Sequence, residues 1–136
     1  IGKEKVVAAL PETFMNKSGE ATKKLVTSYK LQATSLFVVH DDVDLPVGRM
    51  KLSFARNSAG HKGVESVMRA LKTNEFWRVR IGIGGVRKTK EAMDIVLKKF
   101  TPKEQVELKK ITKKAQEALT CALTESPQKA MSLYNS

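Results

Sequence analysis

An unbroken apolar run, Ser35–His40, limits the possible folds of this chain more than any other segment; it reads SLFVVH. Surface strands alternate apolar and polar side chains, whereas strands covered on both faces are continuously apolar. The run therefore predicts a buried strand in an α/β domain. Asp41, Asp42 and Asp44 follow it directly, and we interpret them as a turn that ends the strand.

The rest of the chain alternates between strand and helix patterns. Further strands are predicted at Lys5–Leu10, Arg49–Phe54 and Trp77–Ile83, of which Arg49–Phe54 alternates and is expected to be antiparallel. Helices are predicted from the N-cap Ser18 to about Lys30, from the loop Asn57–Gly63 through Leu71, over about Glu91–Lys98, over Pro102–Thr124, and from Ser126 through Leu133. Since 136 residues suit one domain, this order predicts a single α/β domain over residues 1–136. Its twisted sheet is expected to be mixed but mostly parallel, with helices on both faces.

The charge balance indicates the class of partner. Lys and Arg number 25 and Asp and Glu number 14, so the net charge is +11. Such an excess favours a polyanionic partner, although a solvated basic surface would have the same composition. The single cysteine, Cys121, excludes an internal disulfide framework and fits a reducing cytoplasm. No apolar run approaches the length of a membrane span.

Two common kinds of site have little support. The segment Gly82–Gly85 resembles a dinucleotide-binding loop, but Arg87 stands where the third glycine is needed. A strand exit that another backbone passes closely explains these glycines better. No metal site is predicted, because the only histidines are His40 and His61 and Cys121 lies on the apolar face of a helix.

Three short segments could carry chemistry. Asp41 follows the buried strand at the end where open α/β sheets build their sites, and a carboxylate there can orient a histidine. Asn16 follows another predicted strand and can hold a substrate carbonyl or a water, but a turn residue is an equal interpretation. His61 and Lys62 stand between Gly60 and Gly63 at a helix start, which suits either a phosphate or a simple helix cap.

In this order, four motifs closely resemble those of the bacterial-type peptidyl-tRNA hydrolases. They are Pro11–Gly19 (PETFMNKSG), His40–Gly48 (HDDVDLPVG), Gly60–Gly63 (GHKG) and Phe76–Gly84 (FWRVRIGIG), and the likeness continues through Val96–Phe100. The resemblance implies a monomeric enzyme with a mixed-sheet α/β fold and no cofactor. It implies hydrolysis of the ester that joins a peptide to the 3′ end of tRNA, with no membrane or protein partner required.

The resemblance also implies roles for individual residues. Phe14, Met15 and Asn16 match the substrate-contacting Phe-Met-Asn of the family, with Asn16 in the catalytic group. Asp41 matches the aspartate that supports a general-base histidine. Arg80 matches a basic residue that grips the 5′-phosphate of tRNA.

The family loop usually reads Gly-His-Asn-Gly, and here Lys62 replaces the asparagine of that loop. We expect His61 to lie next to the site without acting as the base. Lysine offers a cation and no acceptor, so Lys62 either binds the tRNA 3′ end or pairs with the supporting aspartate. A further basic position for the 5′-phosphate holds Ser53, and Lys51 and Arg56 are nearby substitutes.

The catalytic histidine of the family lies in an N-terminal segment with a Gly-Asn-Pro-Gly turn and a Thr-Arg-His-Asn run, neither of which occurs here. We therefore expect the opening strand and helix of the family to be missing, and these residues alone to be inactive. The alternative is a non-catalytic RNA-binding relative that retains the basic surface.

Overall fold

The computed structural model describes residues 5–10, 17–58, 60–84 and 101–135. The helices are α1 (Ser18–Ser28), α2 (Lys62–Leu71), α3 (Pro102–Thr124) and α4 (Pro127–Tyr134), with a 3₁₀ turn at Ala33–Ser35. The strands are β1 (Phe37–Pro46), β2 (Met50–Phe54) and β3 (Trp77–Gly84). The helix predicted over Glu91–Lys98 lies outside the described residues.

The three strands form one sheet in the order β1-β3-β2. Strands β2 and β3 are antiparallel, since the N–H of Gly82 donates to the carbonyl of Arg49 and the N–H of Ala55 to that of Phe76. Strands β1 and β3 run in the same direction: Trp77 donates to the carbonyl of Leu36 before both strands, and Val47 donates to that of Gly84 after them. The sheet is therefore mixed, and the antiparallel prediction for Arg49–Phe54 is confirmed.

The strand predicted at Lys5–Leu10 is wrong for the structure described. Residues 5–10 have no regular structure and are exposed, Leu10 to 92%. An apolar run becomes a strand only where a neighbouring backbone takes its N–H and C=O groups. Within the described ranges, no strand pairs with this segment.

The described residues divide into two compact units: unit 1 contains Val39–Leu52 and the described part of Val79–Ser136, and unit 2 contains the described part of Val6–Val38 together with Ser53–Arg78. In unit 2, helices α1 and α2 pack so closely that a Cβ on Gly19 would lie 2.0 Å from the backbone oxygen of Ser66. The N–H of Gly19 also donates to Oγ of Ser66 at 2.9 Å. The core of this unit is apolar and consists of Val64, Val67 and Phe76, with Leu36, Val38, Met68 and Leu71 around them.

Helix α1 begins one residue earlier than predicted, since Ser18 was expected to be the N-cap. Lys17 is its N-cap and makes no side-chain cap hydrogen bond, and Ser18 is the first helical residue. The helix buries Gly19 and Thr22, whereas the predicted inner residues Leu25 and Val26 are only half-buried. Contact with α2, which the sequence pattern does not contain, determines this rotation.

In unit 1, helix α3 has the predicted bounds. Thr101 caps it in a reciprocal capping box with Glu104, and Pro102 occupies its first turn. Its buried side is made of small and apolar residues, namely Ile111, Ala115, Ala118, Cys121 and Ala122. After α4, Asn135 accepts from the N–H of Leu52 at 2.6 Å and donates to its carbonyl at 3.0 Å. The chain after α4 is thereby attached to the backbone of strand β2.

Candidate functional site

The acidic segment of unit 1 lies inside a strand. Strand β1 continues through Asp41–Asp44 to Pro46, so the predicted strand end at His40 is wrong. The strand extends because Leu45 is buried and Val47 still pairs with β3. Only a local bond between the N–H of Asp44 and Oδ1 of Asp42, at 2.8 Å, resembles the expected turn.

Asp42 is the buried carboxylate of this segment. Its Oδ2 accepts a hydrogen bond from Nε of Arg80 at 2.6 Å, and the side chains are only 6% and 15% exposed. Both carboxylate oxygens therefore have donors, as a buried charge requires. Analysis of the sequence missed Asp42 because the pairing depends on the register of β1 against β3.

Asp41 is half-buried, and its carbonyl lies 2.7 Å from Nδ1 of His40. A carbonyl only accepts, so Nδ1 of the buried His40 carries the hydrogen of this bond. The bond commits one ring nitrogen of His40 to the backbone.

In unit 2, His61 is the N-cap of helix α2. Its Nδ1 accepts from the N–H of Val64 at 3.2 Å, so the neutral ring carries its hydrogen on Nε2. Gly60 before it has φ of +83°, a conformation that favours glycine. Lys62 is exposed at the first position of the helix. In the structure this loop forms a helix cap, which is one of the two interpretations that the sequence left open.

The remaining predicted residues divide between the units. Lys51 is exposed on β2 in unit 1, and Arg56 is exposed in unit 2. Ser53 is buried, and its Oγ has no hydrogen-bond partner among the described residues. Unit 1 thus holds Asp41, Asp42, Arg80 and Lys51, and unit 2 holds Arg56, His61 and Lys62. Phe14, Met15 and Asn16 lie outside the described residues.

The glycines after Ile81 allow a close backbone approach, as the sequence predicts. A Cβ on Gly82 would lie 2.0 Å from the carbonyl oxygen of Pro46, and one on Gly84 would lie 2.3 Å from that of Val43. These glycines are needed where β1 passes β3, which accounts for them without a bound nucleotide.

Cys121 is a core thiol on helix α3. Burial raises its pKa, and the carboxylate of Glu125, to which the S–H donates at 3.4 Å, raises the pKa further. The carboxyl pKa of Glu125 is lowered, chiefly by its hydrogen bond from Lys129. The thiol therefore stays protonated, which is the unreactive form.

Within the ranges that the structure describes, no group of acidic, histidine and cysteine side chains could hold a metal ion. Over the same ranges, no helix has the length and apolar character to span a membrane.

A family model described as peptidyl-tRNA hydrolase matches residues 1–136. The chain belongs to this family. It is 42% identical over 135 residues to the peptidyl-tRNA hydrolase of Aquifex aeolicus, an alignment that covers 99% of this chain and 70% of the relative. It is 43% identical over 126 residues to that of Pseudothermotoga lettingae, covering 93% of this chain and 67% of the relative.

Solved structures of the peptidyl-tRNA hydrolase family have the same fold. A crystal structure of peptidyl-tRNA hydrolase in complex with N-propanol superposes with a TM-score of 0.82 at 25% identity. The enzyme from Acinetobacter baumannii superposes with a TM-score of 0.82 at 24% identity. In each case the match covers 92% of this chain and 65% of the other, so the chain spans slightly under two thirds of the solved structures' length.

Proposed function

We propose that this chain forms the greater part of a peptidyl-tRNA hydrolase, which cleaves the ester between a peptide, or an N-blocked amino acid, and the 3′ end of tRNA. The match of the family model to residues 1–136 carries the proposal. The net charge of +11 supports it, because tRNA presents a continuous row of phosphates. The alignments to named enzymes favour catalysis over a non-catalytic RNA-binding relative.

The chemistry that we propose is general-base hydrolysis without a metal. A histidine takes a proton from water, and the water attacks the ester carbonyl. Asp41 supports that histidine, and Asn16 holds the substrate together with Phe14 and Met15. In this scheme the nucleophile is water and no covalent enzyme intermediate forms.

We place the general base outside residues 1–136. Each of the two histidines of the chain already uses Nδ1: His40 donates to a backbone carbonyl and His61 accepts from a helix N–H. A base supported by a carboxylate needs Nδ1–H directed at that carboxylate and Nε2 directed at the water. His61 with its hydrogen on Nε2 has the opposite tautomer. It is therefore better suited to donate to a substrate oxygen.

The proposed tRNA contacts are Arg80 and Lys51 in unit 1, and Lys62 and Arg56 in unit 2. Arg80 is expected to grip the 5′-phosphate, with Asp42 orienting its guanidinium through Nε. Lys62 is expected at the acceptor end of the tRNA. Lysine and arginine at these positions position the RNA without reading its sequence.

The decisive assay is release of an N-blocked amino acid from its tRNA. We expect no turnover by the 136-residue chain and turnover by a protein in which a segment with Gly-Asn-Pro-Gly and Thr-Arg-His-Asn precedes Ile1. Turnover by the 136 residues alone would refute our placement of the base. RNA binding without turnover by the longer protein would instead favour the non-catalytic relative.

Two variants test the assigned residues within the longer protein. Arg80→Ala is expected to weaken tRNA binding and to reduce the slope of log affinity against log salt by about 0.9, the value of one phosphate contact. Lys129→Ala, which removes an exposed charge paired with Glu125, is the matched control. His61→Asn retains a helix-capping side chain and removes the imidazole, so lost activity in that variant would reflect the ring itself.

We further propose one monomeric, cytoplasmic domain over residues 1–136. Its complete sheet is expected to be mostly parallel and twisted, with helices on both faces. Light scattering of the longer protein tests the monomer.

A further inference from the structure

Arg78 is a buried cation within unit 2. It is only 2% exposed on strand β3. Its Nη1 donates to the carbonyl oxygens of Arg56 at 3.2 Å and of Asn57 at 2.5 Å. Because the guanidinium is buried, it cannot itself contact an RNA phosphate.

The carbonyls that Arg78 holds belong to the β2–α2 loop, defined as residues 55–58 and 60–61. The loop leaves β2 through Ala55, whose φ of +54° marks a sharp change of direction. Nδ2 of Asn74 donates to the carbonyl of Ala55 at 3.3 Å, which anchors the start of the loop.

The end of the loop is anchored through helix α2. Oγ of Ser58 donates to Oε1 of Glu65 at 3.1 Å, and the N–H of His61 donates to the carbonyl of Ser58 at 3.0 Å. His61 then caps the helix through Val64. Arg78 holds Arg56 and Asn57, which lie between these two anchors.

This loop carries cations at its surface. Arg56 is exposed within it, and Lys62 is exposed directly after it. A flexible loop would have to be ordered when RNA binds, and the lost entropy would weaken binding. A loop that is held in advance avoids that loss.

We propose that Arg78 is a positioning residue that holds the β2–α2 loop so that Arg56 and Lys62 meet RNA phosphates. The inference rests on the proposed function, because it takes tRNA as the ligand. Arginine suits the role because both bonds come from Nη1, whose two hydrogens are fixed in the guanidinium plane, whereas a lysine ammonium has no such planar geometry.

Binding of a tRNA acceptor minihelix to the 136-residue chain, measured at several salt concentrations, tests the inference. Arg56→Gln is expected to lower affinity about tenfold at 50 mM salt and the salt slope by about 0.9. Arg78→Gln is expected to approach the same loss although its side chain is buried. The double variant should then be within about twofold of the weaker-binding single variant, because Arg78→Gln already removes the contact that Arg56 makes.

A charge-matched control separates this effect from a general loss of positive charge. Arg69→Gln removes an exposed cation from the last turn of α2, and its effect should add to that of Arg56→Gln. Additive effects of Arg78→Gln and Arg56→Gln would overturn the inference.

Amide hydrogen exchange supplies a readout that does not depend on RNA. Arg78→Gln is expected to speed amide exchange at Gly60 and His61 and to leave the amides of α1 protected. Arg78→Lys should restore part of the protection at Gly60 and His61 and part of the affinity for the minihelix. Asn74→Ala, an exposed change that should not prevent folding, is expected to act in the same direction more weakly. Unchanged exchange in Arg78→Gln would overturn the inference and leave the proposed function standing. Failure of the wild-type chain to bind the minihelix would overturn the proposed RNA surface together with the inference.

Discussion

The ion pair between the buried Asp42 and the partly buried Arg80 allows a quantitative test. Asp42→Ala removes the acceptor of Nε of Arg80 at 2.6 Å and the acceptor of the N–H of Asp44 at 2.8 Å. Leaving one partner of a buried pair uncompensated costs about 3–5 kcal/mol, and the 15% exposure of Arg80 places the cost near the lower end. The lost backbone bond adds about 1 kcal/mol. We expect the free energy of unfolding to fall by about 4 kcal/mol.

Urea unfolding of Asp42→Ala, Arg80→Ala and the double variant gives the coupling energy of the pair. We expect about 2–3 kcal/mol, because the double variant no longer buries a lone charge. The exposed pair of Lys110 with Glu107, whose side chains are 71% and 42% exposed at 3.7 Å, is the control. Its coupling should stay below about 1 kcal/mol. A coupling for Asp42 and Arg80 in that lower range would refute the view that the pair is desolvated.

Three further substitutions test other contacts by unfolding or reactivity. Gly19→Ala should cost about 3 kcal/mol, since its Cβ would meet a backbone carbonyl of α2. In Gly60→Ala the Cβ would meet no atom of the described residues beyond its chain neighbours within 4 Å, but φ is +83°, so the cost should be only about 1–2 kcal/mol. Equal costs would contradict the steric explanation. Thr101→Ala should destabilise the chain by about 1 kcal/mol through loss of the α3 cap, measured by urea midpoint, and an unchanged midpoint would show that the cap is dispensable. The thiol of Cys121 should react slowly with a disulfide reagent at pH 8, because its raised pKa leaves little thiolate. Glu125→Gln should lower the pKa of the thiol and speed the reaction several-fold. An unchanged rate would mean that burial alone controls the reactivity of the thiol.

Local sequence determines helices α3 and α4 of this chain well. Helix α3 has the predicted bounds because Thr101, Pro102 and Glu104 supply a complete start signal within the first turn. Helix α4 likewise begins at Pro127 after the cap Ser126. These signals act between neighbouring residues, so they require no knowledge of the fold.

Strands are predicted less well, since each depends on a partner distant in sequence. Lys5–Leu10 has the composition of a strand and no strand neighbour in the described structure. The opposite error occurs at Asp41–Asp44, which has the composition of a turn and yet extends β1. In both cases the presence or absence of a distant backbone partner for hydrogen bonds outweighs the local preference.

The candidate site shows the same division. Motif order was sufficient to assign the family and to select Asp41, His61 and Arg80, whose catalytic and binding roles stay predictions. Composition supplied the basic charge that suits RNA. None of this required a three-dimensional structure.

Only the tertiary structure identified Asp42 as the partner of Arg80 and Arg78 as the residue that holds the β2–α2 loop. The sequence contains each charge, but it does not contain the register of β1 against β3 or the path of the loop. A buried charge is stable only with donors or acceptors at hydrogen-bond distance, and these come from segments far apart in the chain. The family and helices α3 and α4 follow from neighbouring residues and their order, whereas the pairing of buried charges is decided when the sheet forms.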